Sequence, residues 1–354
     1  MGGQIRLALV GDTMLGRGVA AALDRLPPDQ LVDEVVAAEI RSADLAILNL
    51  ECCLSTRGSR WPDPAKPFFF RGPPSAIGLL TYLGVNAVTL ANNHALDYGI
   101  EALTDTLALL DQAGIRHVGA GPDRDAARRP CVLEAKGFRV GLVAFTDHPR
   151  EYAASERQPG VAYADLARGI PTWVLEAVAT TAADAVVVTP HWGPNMSDRP
   201  VERVRRAAAE LEAAGATLVA GHSAHVFQPV SGRVLFDLGD FIDDYARDDR
   251  LRNDLGLLWV VDLEPTGPRR LRALPLKLDY CHTGLAVGAD RVWVEERFTE
   301  LCSEFGTRVE RSNGWLVIGW EGGDPVHSAN NRAGDPVPSA NNRAGDPVPS
   351  ANGP

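Results

Sequence analysis

The sequence predicts an α/β fold, and three observations carry that prediction. Short β-branched or apolar runs alternate with longer amphipathic segments through most of the chain, the pattern of strands that cross over through helices. Each run ends in a polar cluster, in the order GDTM, NLE, ANNH, TDH, HWG and GHSAH. The 354 residues, 45% of them hydrophobic, are enough for a large buried core.

The candidate strands are Ile5 to Val10, Leu45 to Leu50, Ala87 to Leu90, Val140 to Phe145, Ala185 to Pro190 and Thr217 to Ala220. Ligand sites in open α/β sheets lie beyond the carboxyl ends of strands, so clusters scattered in sequence can converge there. From Gly232 to Leu278 the pattern changes to neighbouring strands, VLFDLGD, LGLLWVVDLE and LRALPLKL, for which antiparallel pairing is the simplest account. Arg291 to Glu304 reads as a helix and Trp315 to Trp320 as one more strand, which closes a catalytic domain over residues 1–321. After Glu321 the motif GDPV starts at Gly323, Gly334 and Gly345 with SANNRA between, so residues 322–354 are expected to be a disordered tail, and His327 within it is discounted as a ligand.

Composition removes several function classes. The formal net charge is -11, and Lys and Arg are nowhere concentrated beyond Arg203, Arg205 and Arg206, so no nucleic-acid partner is expected. No stretch approaches the roughly 20 apolar residues that span a bilayer, and MGGQIRLALVGD lacks the features of a secretory signal. Gly2 and Gly3 invite a myristoylation reading, but a strand follows at once; no membrane partner and a cytoplasmic location are expected. The five cysteines show no C-x-x-C spacing, so reduced thiols are expected rather than disulfides or a zinc ribbon. Cys52 and Cys53 follow Glu51, and packing in a buried turn is weighed there against a place near a metal. No G-x-x-x-x-G-K-[ST] loop supports a nucleotide-binding ligase.

The strand-end clusters carry the chemistry. LALVGDTMLGR puts Asp12 just past an apolar strand, where it is either an ordinary turn residue or an exposed carboxylate ligand. In LAILNLECCLS, Asn49 and Glu51 alternate along the strand and so share a face; a carboxylate leaving an apolar strand must find a cation or water. In LANNHALDYG, Asn92, Asn93 and His94 follow the run, and two compatible roles are expected for Asp97, fixing the imidazole of His94 and capping the next helix. His94 itself is weighed as a catalytic group against a satisfied core histidine. VVVTPHWGP places His191, and LVAGHSAHV places His222 and His225, at further strand ends. Imidazole suits zinc, manganese and iron, whereas calcium and magnesium prefer oxygen, so this mixed set points to divalent transition-metal ions. Such an ion lowers the pKa of bound water from about 15.7 towards about 7 and polarises a phosphoryl or acyl oxygen, while His94 can protonate the departing group.

GDTMLGR, NLE, ANNHALDYG, HWG and GHSAHVFQP, in this order, resemble the CapA family, bacterial capsule-synthesis proteins associated with poly-γ-glutamate and related to calcineurin-like metallophosphoesterases. The likeness runs from about Ile5 to about Ile318, including LGDFIDDYARDDRLRND and FTELCSEFGTRVE. It implies a four-layer α/β/β/α sandwich with one or two divalent ions (manganese, zinc or iron) at the sheet edges. By resemblance, Asp12 is the first-motif aspartate, Glu51 the bridging carboxylate, Asn93, His191 and His222 ligands of the second ion, and His225 a ligand of the first. His94 resembles the acid beside the metals. Two positions depart from the pattern: Met14 stands where the wider group has a histidine, which removes a nitrogen from the first site, and Ser223 and Ala224 replace a further histidine and a proline.

Phosphoester hydrolysis on a small substrate is the leading expectation. An acyl- or amide-handling role in γ-glutamyl polymer or secondary-metabolite assembly, and a non-catalytic assembly role, are the alternatives. Trp61, Phe68, Phe69 and Phe70 in WPDPAKPFFFRGPP either close over substrate or pack against the sheet, and Arg71 is the candidate for an anionic substrate group.

Overall fold

A computed structural model describes residues 3–321 and 324–325. Among these, two sheets of eleven and six strands hold the apolar runs. The larger sheet runs Glu310–Ser312, Trp315–Glu321, Gly267–Asp279, Leu255–Glu264, Ile5–Thr13, Leu45–Leu50, Ala87–Thr89 and Arg116–Val118. The smaller runs Val230–Ser231, Val234–Leu235, Leu218–Ala220, Ala185–His191, Phe138–Thr146 and Cys131–Ala135. The chain is thus α/β, as its alternating pattern predicts.

Side chains alternate across a strand, so the first strand serves two cores at once. Leu7 and Leu9 join Ile47, Trp259 and Val261 of the larger sheet, and Val140, Leu142 and Val187 of the smaller, in one buried cluster between the sheets. Ala8 and Val10 face the other way, onto the helices Glu34–Arg41 and Gly99–Gln112. Burial on both faces explains why these strands read as continuous apolar runs. The outer face of the smaller sheet is covered by Thr172–Thr180 and by Glu202–Ala213, whose Val204, Ala207, Ala208 and Leu211 fall on one helical stripe. The two sheets thus share one apolar core, and each buries a further cluster on its other face. The helix Gly288–Glu304 buries Val294, Phe298 and Leu301 in the cluster shared by the sheets, with Phe298 edge-on to Trp259 at 5.4 Å. Trp259 is fully buried and donates through Nε1 to the Leu238 carbonyl, so truncation to alanine should cost about 3–5 kcal/mol.

Antiparallel pairing is found between Leu255–Glu264 and Gly267–Asp279, as expected. VLFDLGD behaves differently, because it crosses between the sheets. Val234–Leu235 pairs in parallel with Leu218–Ala220, and Asp240–Ile242 pairs in parallel with the end of the first strand. A two-residue strand, Asp324–Pro325, pairs with Trp320 and Glu321; the rest of the repeat, where a disordered tail is expected, lies outside the described residues. All five cysteines are buried and free. Among the described residues no helix is long and apolar enough to cross a membrane.

Candidate metal centre

The carboxyl ends of both sheets converge on the predicted cluster. The first strand shifts register at Asp12, which aligns with Asn49 on one side and Asp240 on the other. This close approach requires Gly11: a Cβ there would lie 2.0 Å from the Gly239 carbonyl oxygen. The Asp12 amide donates to that same oxygen at 2.8 Å, and the Glu51 amide donates to the Thr13 carbonyl at 3.0 Å. Opposite them, His191 ends its strand and pairs through the backbone with His222. The loop after His222 holds Ser223 at φ 111 and His225 at φ 59, left-handed conformations that side chains adopt at a cost. Asp237 stabilises it by accepting from the Ala224 amide at 2.8 Å.

Asp12, Glu51, His225 and Asp240 are all buried, and each offers one ligand atom within 4.8 Å of the others. His225 Nδ1 sits among three carboxylates, 2.8 Å from Asp240 Oδ1, 3.7 Å from Asp12 Oδ2 and 3.9 Å from Glu51 Oε2. Atoms around a zinc-sized ion are at most about 4.4 Å apart, so a contraction of tenths of an ångström would close this group on one cation. Both Glu51 oxygens and Asp240 Oδ2 are buried without a hydrogen-bond partner. Burying unpaired carboxylate oxygens is costly, and a divalent ion satisfies them. The residues present therefore fit a metal.

A second group adjoins the first. His191 Nε2 and Asn93 Oδ1 are also buried without partners, and His191 Nε2 lies 3.9 Å from Glu51 Oε1, the spacing of two ligands on one ion. His222 meets Asp12 Oδ1 through Nδ1 at 2.8 Å, which leaves Nε2 as the nitrogen it can offer. Asn49 ties the ends together. Its Nδ2 donates to Asp12 Oδ1 at 2.8 Å, and its Oδ1 accepts from Thr89 and Asn92.

Burial dominates the electrostatics of the cluster. It raises Glu51 well above the usual carboxylate range, reinforced by Asp12, and lifts Asp237 to about 7 and Asp243 to about 6. Burial opposes charge on His225 too, but Asp240, Glu51 and Asp12 outweigh it and hold His225 well above its ordinary value. His191 is pushed well below normal by burial. Carboxyls pushed upward together, beside an imidazole held well above its ordinary value, mark a pocket of strong negative potential.

His94 stands beside this pocket. Burial pushes its pKa down to about 4 against the pull of Asp97, so near neutral pH it is an uncharged imidazole. Its Nδ1 lies 2.6 Å from Asp97 Oδ2, which leaves Nε2 to exchange protons. Asp97 also accepts from the Phe70 amide at 2.6 Å and the Tyr152 hydroxyl at 3.0 Å, and pairs with Lys66 Nζ at 3.0 Å. Of the two roles expected for Asp97 the structure gives the first: the next helix begins after Tyr98 with no side-chain cap. Phe70 stacks on the His94 ring at 4.0 Å.

A cleft of about 450 Å³ opens in front of the centre, lined by Arg17, Phe68, Phe70, His94, His225 and Tyr245 among others. The aromatic loop divides between its two expected roles. Phe68 and Phe70 line the cleft, while Trp61 packs edge-on against Tyr152 at 4.9 Å and Phe69 against Tyr98 at 6.5 Å. Arg71 does not take the substrate-facing place expected of it. Its guanidinium lies 4.1 Å from the Tyr98 ring centroid and donates to the Arg57 carbonyl at 3.1 Å, and the cleft is lined by Arg17 instead. Met14, where a histidine was missing, is fully buried with its sulfur accepting from the Gly16 amide. Asp240, from VLFDLGD, joins Asp12, Glu51 and His225 as a fourth group at the first site. Asp240, Lys66 and Arg17 carry no local signal beyond their motifs. His148, inside the TDH cluster, lies 5.3 Å ring to ring from His191.

The description "Bacterial capsule synthesis protein PGA_cap" belongs to a family that matches residues 6–245 of this chain. A probable polyglutamine synthesis accessory protein of Mycobacterium tuberculosis is 30% identical over 86% of this chain and 93% of its own length. The PGA biosynthesis protein CapA of Bacillus subtilis is 30% identical over 67% of this chain and 63% of its own. Among solved structures, the chain is similar to a phosphatase of Mycoplasma pneumoniae, with a TM-score of 0.49 and 12% identity, covering 78% of this chain and 95% of that one.

Proposed function

The chain belongs to the bacterial capsule synthesis family PGA_cap, and from that premise we propose that it is a metal-dependent hydrolase of phosphoesters or related small substrates. One observation carries the reading: Glu51 is fully buried with neither carboxylate oxygen partnered, among Asp12, His225 and Asp240. Asp12, Glu51, His225 and Asp240 would hold one ion, and Asn93, His191 and His222 with Glu51 a second. Three carboxylates around one imidazole favour a hard ion, manganese before zinc, in the first place. A divalent ion there supplies Lewis acidity and water of lowered pKa. His94, fixed through Nδ1 by Asp97, exchanges a proton at Nε2 with the reacting or departing group. Phe70, stacked on that ring, shields it from bulk water.

A second reading rests on the printed names of the relatives, polyglutamine synthesis accessory protein and PGA biosynthesis protein. The same residues would then act on a γ-glutamyl amide by cleavage or transfer. Protein purified without chelator should carry manganese, zinc or iron, and should turn over members of a panel of phosphoesters and γ-glutamyl amides. Turnover of amides alone would select the second reading. Metal without turnover of either class would favour a non-catalytic assembly role.

A further inference from the structure

The cleft holds a cation that neither the metal ligands nor His94 employ. The Arg17 Cζ lies 5.6 Å from the Phe68 ring centroid, 5.1 Å from that of Phe70 and 5.5 Å from that of Tyr245. Its Nε donates to Asp244 Oδ1 at 2.9 Å and its Nη2 to the same carboxylate, while the Gly18 amide holds Asp244 Oδ2 at 2.8 Å. A fork gripped in this way does not swing. Nη1 makes no hydrogen bond among the described residues, so both of its N–H groups remain to be met.

The backbone supports the same conclusion. Arg17 sits at φ 47, a left-handed conformation that a residue with a Cβ adopts only at a cost. Strain of this kind persists only where the surroundings impose it, often at ligand sites. The position is also specific relative to the metal centre. Phe70 lies between Arg17 and His94, and Tyr245, 5.3 Å from the His225 ring, lies between Arg17 and His225. Arg17 is therefore one aromatic ring removed from both histidines. The Tyr245 hydroxyl is buried without a partner, a second donor beside the same cleft. Phe68, 55% exposed, offers a flat apolar surface between solvent and the guanidinium.

We propose that Arg17 is the receptor for a second anionic group of the substrate, a carboxylate or phosphate carried about one ring-width from the bond that reacts. The inference rests on the metal-centre reading above and narrows its substrate class to molecules with a reacting ester or amide and a separate anion.

The test is a ligand-by-protein cycle on the manganese-loaded full chain, read by calorimetric titration. The two probes are phenylphosphonate and 4-carboxyphenylphosphonate, and the quantity compared is the ratio of their dissociation constants. In the wild type the added carboxylate should tighten binding about tenfold, the size of one charge-assisted hydrogen bond. In Arg17→Asn, where asparagine tolerates the left-handed backbone, that ratio should fall to near one. Arg17→Lys keeps the charge without the fork and should fall between, which preserves the test should the asparagine variant not fold. A ratio unchanged in the variants, or near one in the wild type, overturns the role of Arg17 while leaving the metal centre standing. Manganese content is measured on each sample; failure to retain the ion, or to bind either phosphonate, sinks the metal-centre reading and this inference with it.

Discussion

Replacing Asp97 by alanine removes the acceptor at which four donors meet: His94 Nδ1, the Phe70 amide, the Tyr152 hydroxyl and Lys66 Nζ. Asp97 is fully buried and the Lys66 side chain is only 12% exposed, so the change leaves an unpaired ammonium in a mostly dry place. Breaking a buried pair from one side costs about 3–5 kcal/mol, and an orphaned buried amide costs about 1–3 kcal/mol. Allowing for relaxation and for the mobility of the lysine stem, a loss of about 4 kcal/mol is expected for Asp97→Ala. Asp97→Asn keeps an acceptor for the Phe70 amide and should lose about half as much. Urea unfolding at constant m-value measures both. Lys66→Met completes the cycle, with an expected Asp97–Lys66 coupling of at least about 1 kcal/mol. A loss below about 1 kcal/mol for Asp97→Ala, or strict additivity in the cycle, would refute the placing of this carboxylate at the centre of the His94 support.

Three further outcomes follow from the same geometry. His191→Ala should lower metal content by elemental analysis, because it removes the unpartnered Nε2 beside Glu51; unchanged stoichiometry would remove His191 from the ligand set. His94→Ala should keep the metal and lose about 10²–10⁴-fold in kcat, with a smaller penalty on substrates with good leaving groups, and full activity on a poor one would make His94 structural. Burial would raise Asp254, but Arg252 and Lys277 outweigh it and hold its pKa at about 2, below the usual carboxylate range. A depressed carboxylate stabilises the fold above its unfolded pKa, so the stability advantage of wild type over Asp254→Asn should be full near pH 5 and fade as the pH falls through about 2. Parallel curves from denaturant titrations across that range would contradict the assignment.

The parts of the centre that were legible are those at the ends of strands buried on both faces. Asp12, Glu51, His191 and His222 each follow an apolar run whose length marks the strand and whose end marks the site. Asp240 was not legible as part of this cluster because VLFDLGD reads as one strand of an antiparallel group, whereas the chain leaves one sheet at Leu235 and enters the other at Asp240. Only that long-range crossing brings its carboxylate to His225. The two arginines show the same limit at shorter range. Gly16 lies so close to the backbone of Arg71 that a Cβ would approach its nitrogen to 2.9 Å, yet Arg17 turns to the cleft and Arg71 to Tyr98. Residue type and motif spacing are silent on that choice, which the left-handed backbone at Arg17 and the grip of Asp244 make.

The most direct measurement is the melting temperature of wild type and Glu51→Gln, each with chelator and with saturating manganese. Burial raises the Glu51 carboxyl well above its usual range, which moves the metal-free wild type towards the neutral form that glutamine mimics, so the two chelated proteins should melt within a degree or two of each other. With manganese at about 100 times its dissociation constant, the wild type should gain about 2.7 kcal/mol and melt several degrees higher, and the variant should gain little. An equal metal-induced rise in both proteins, or none in the wild type, would contradict the claim that the unpartnered oxygens of Glu51 are there to hold a divalent ion.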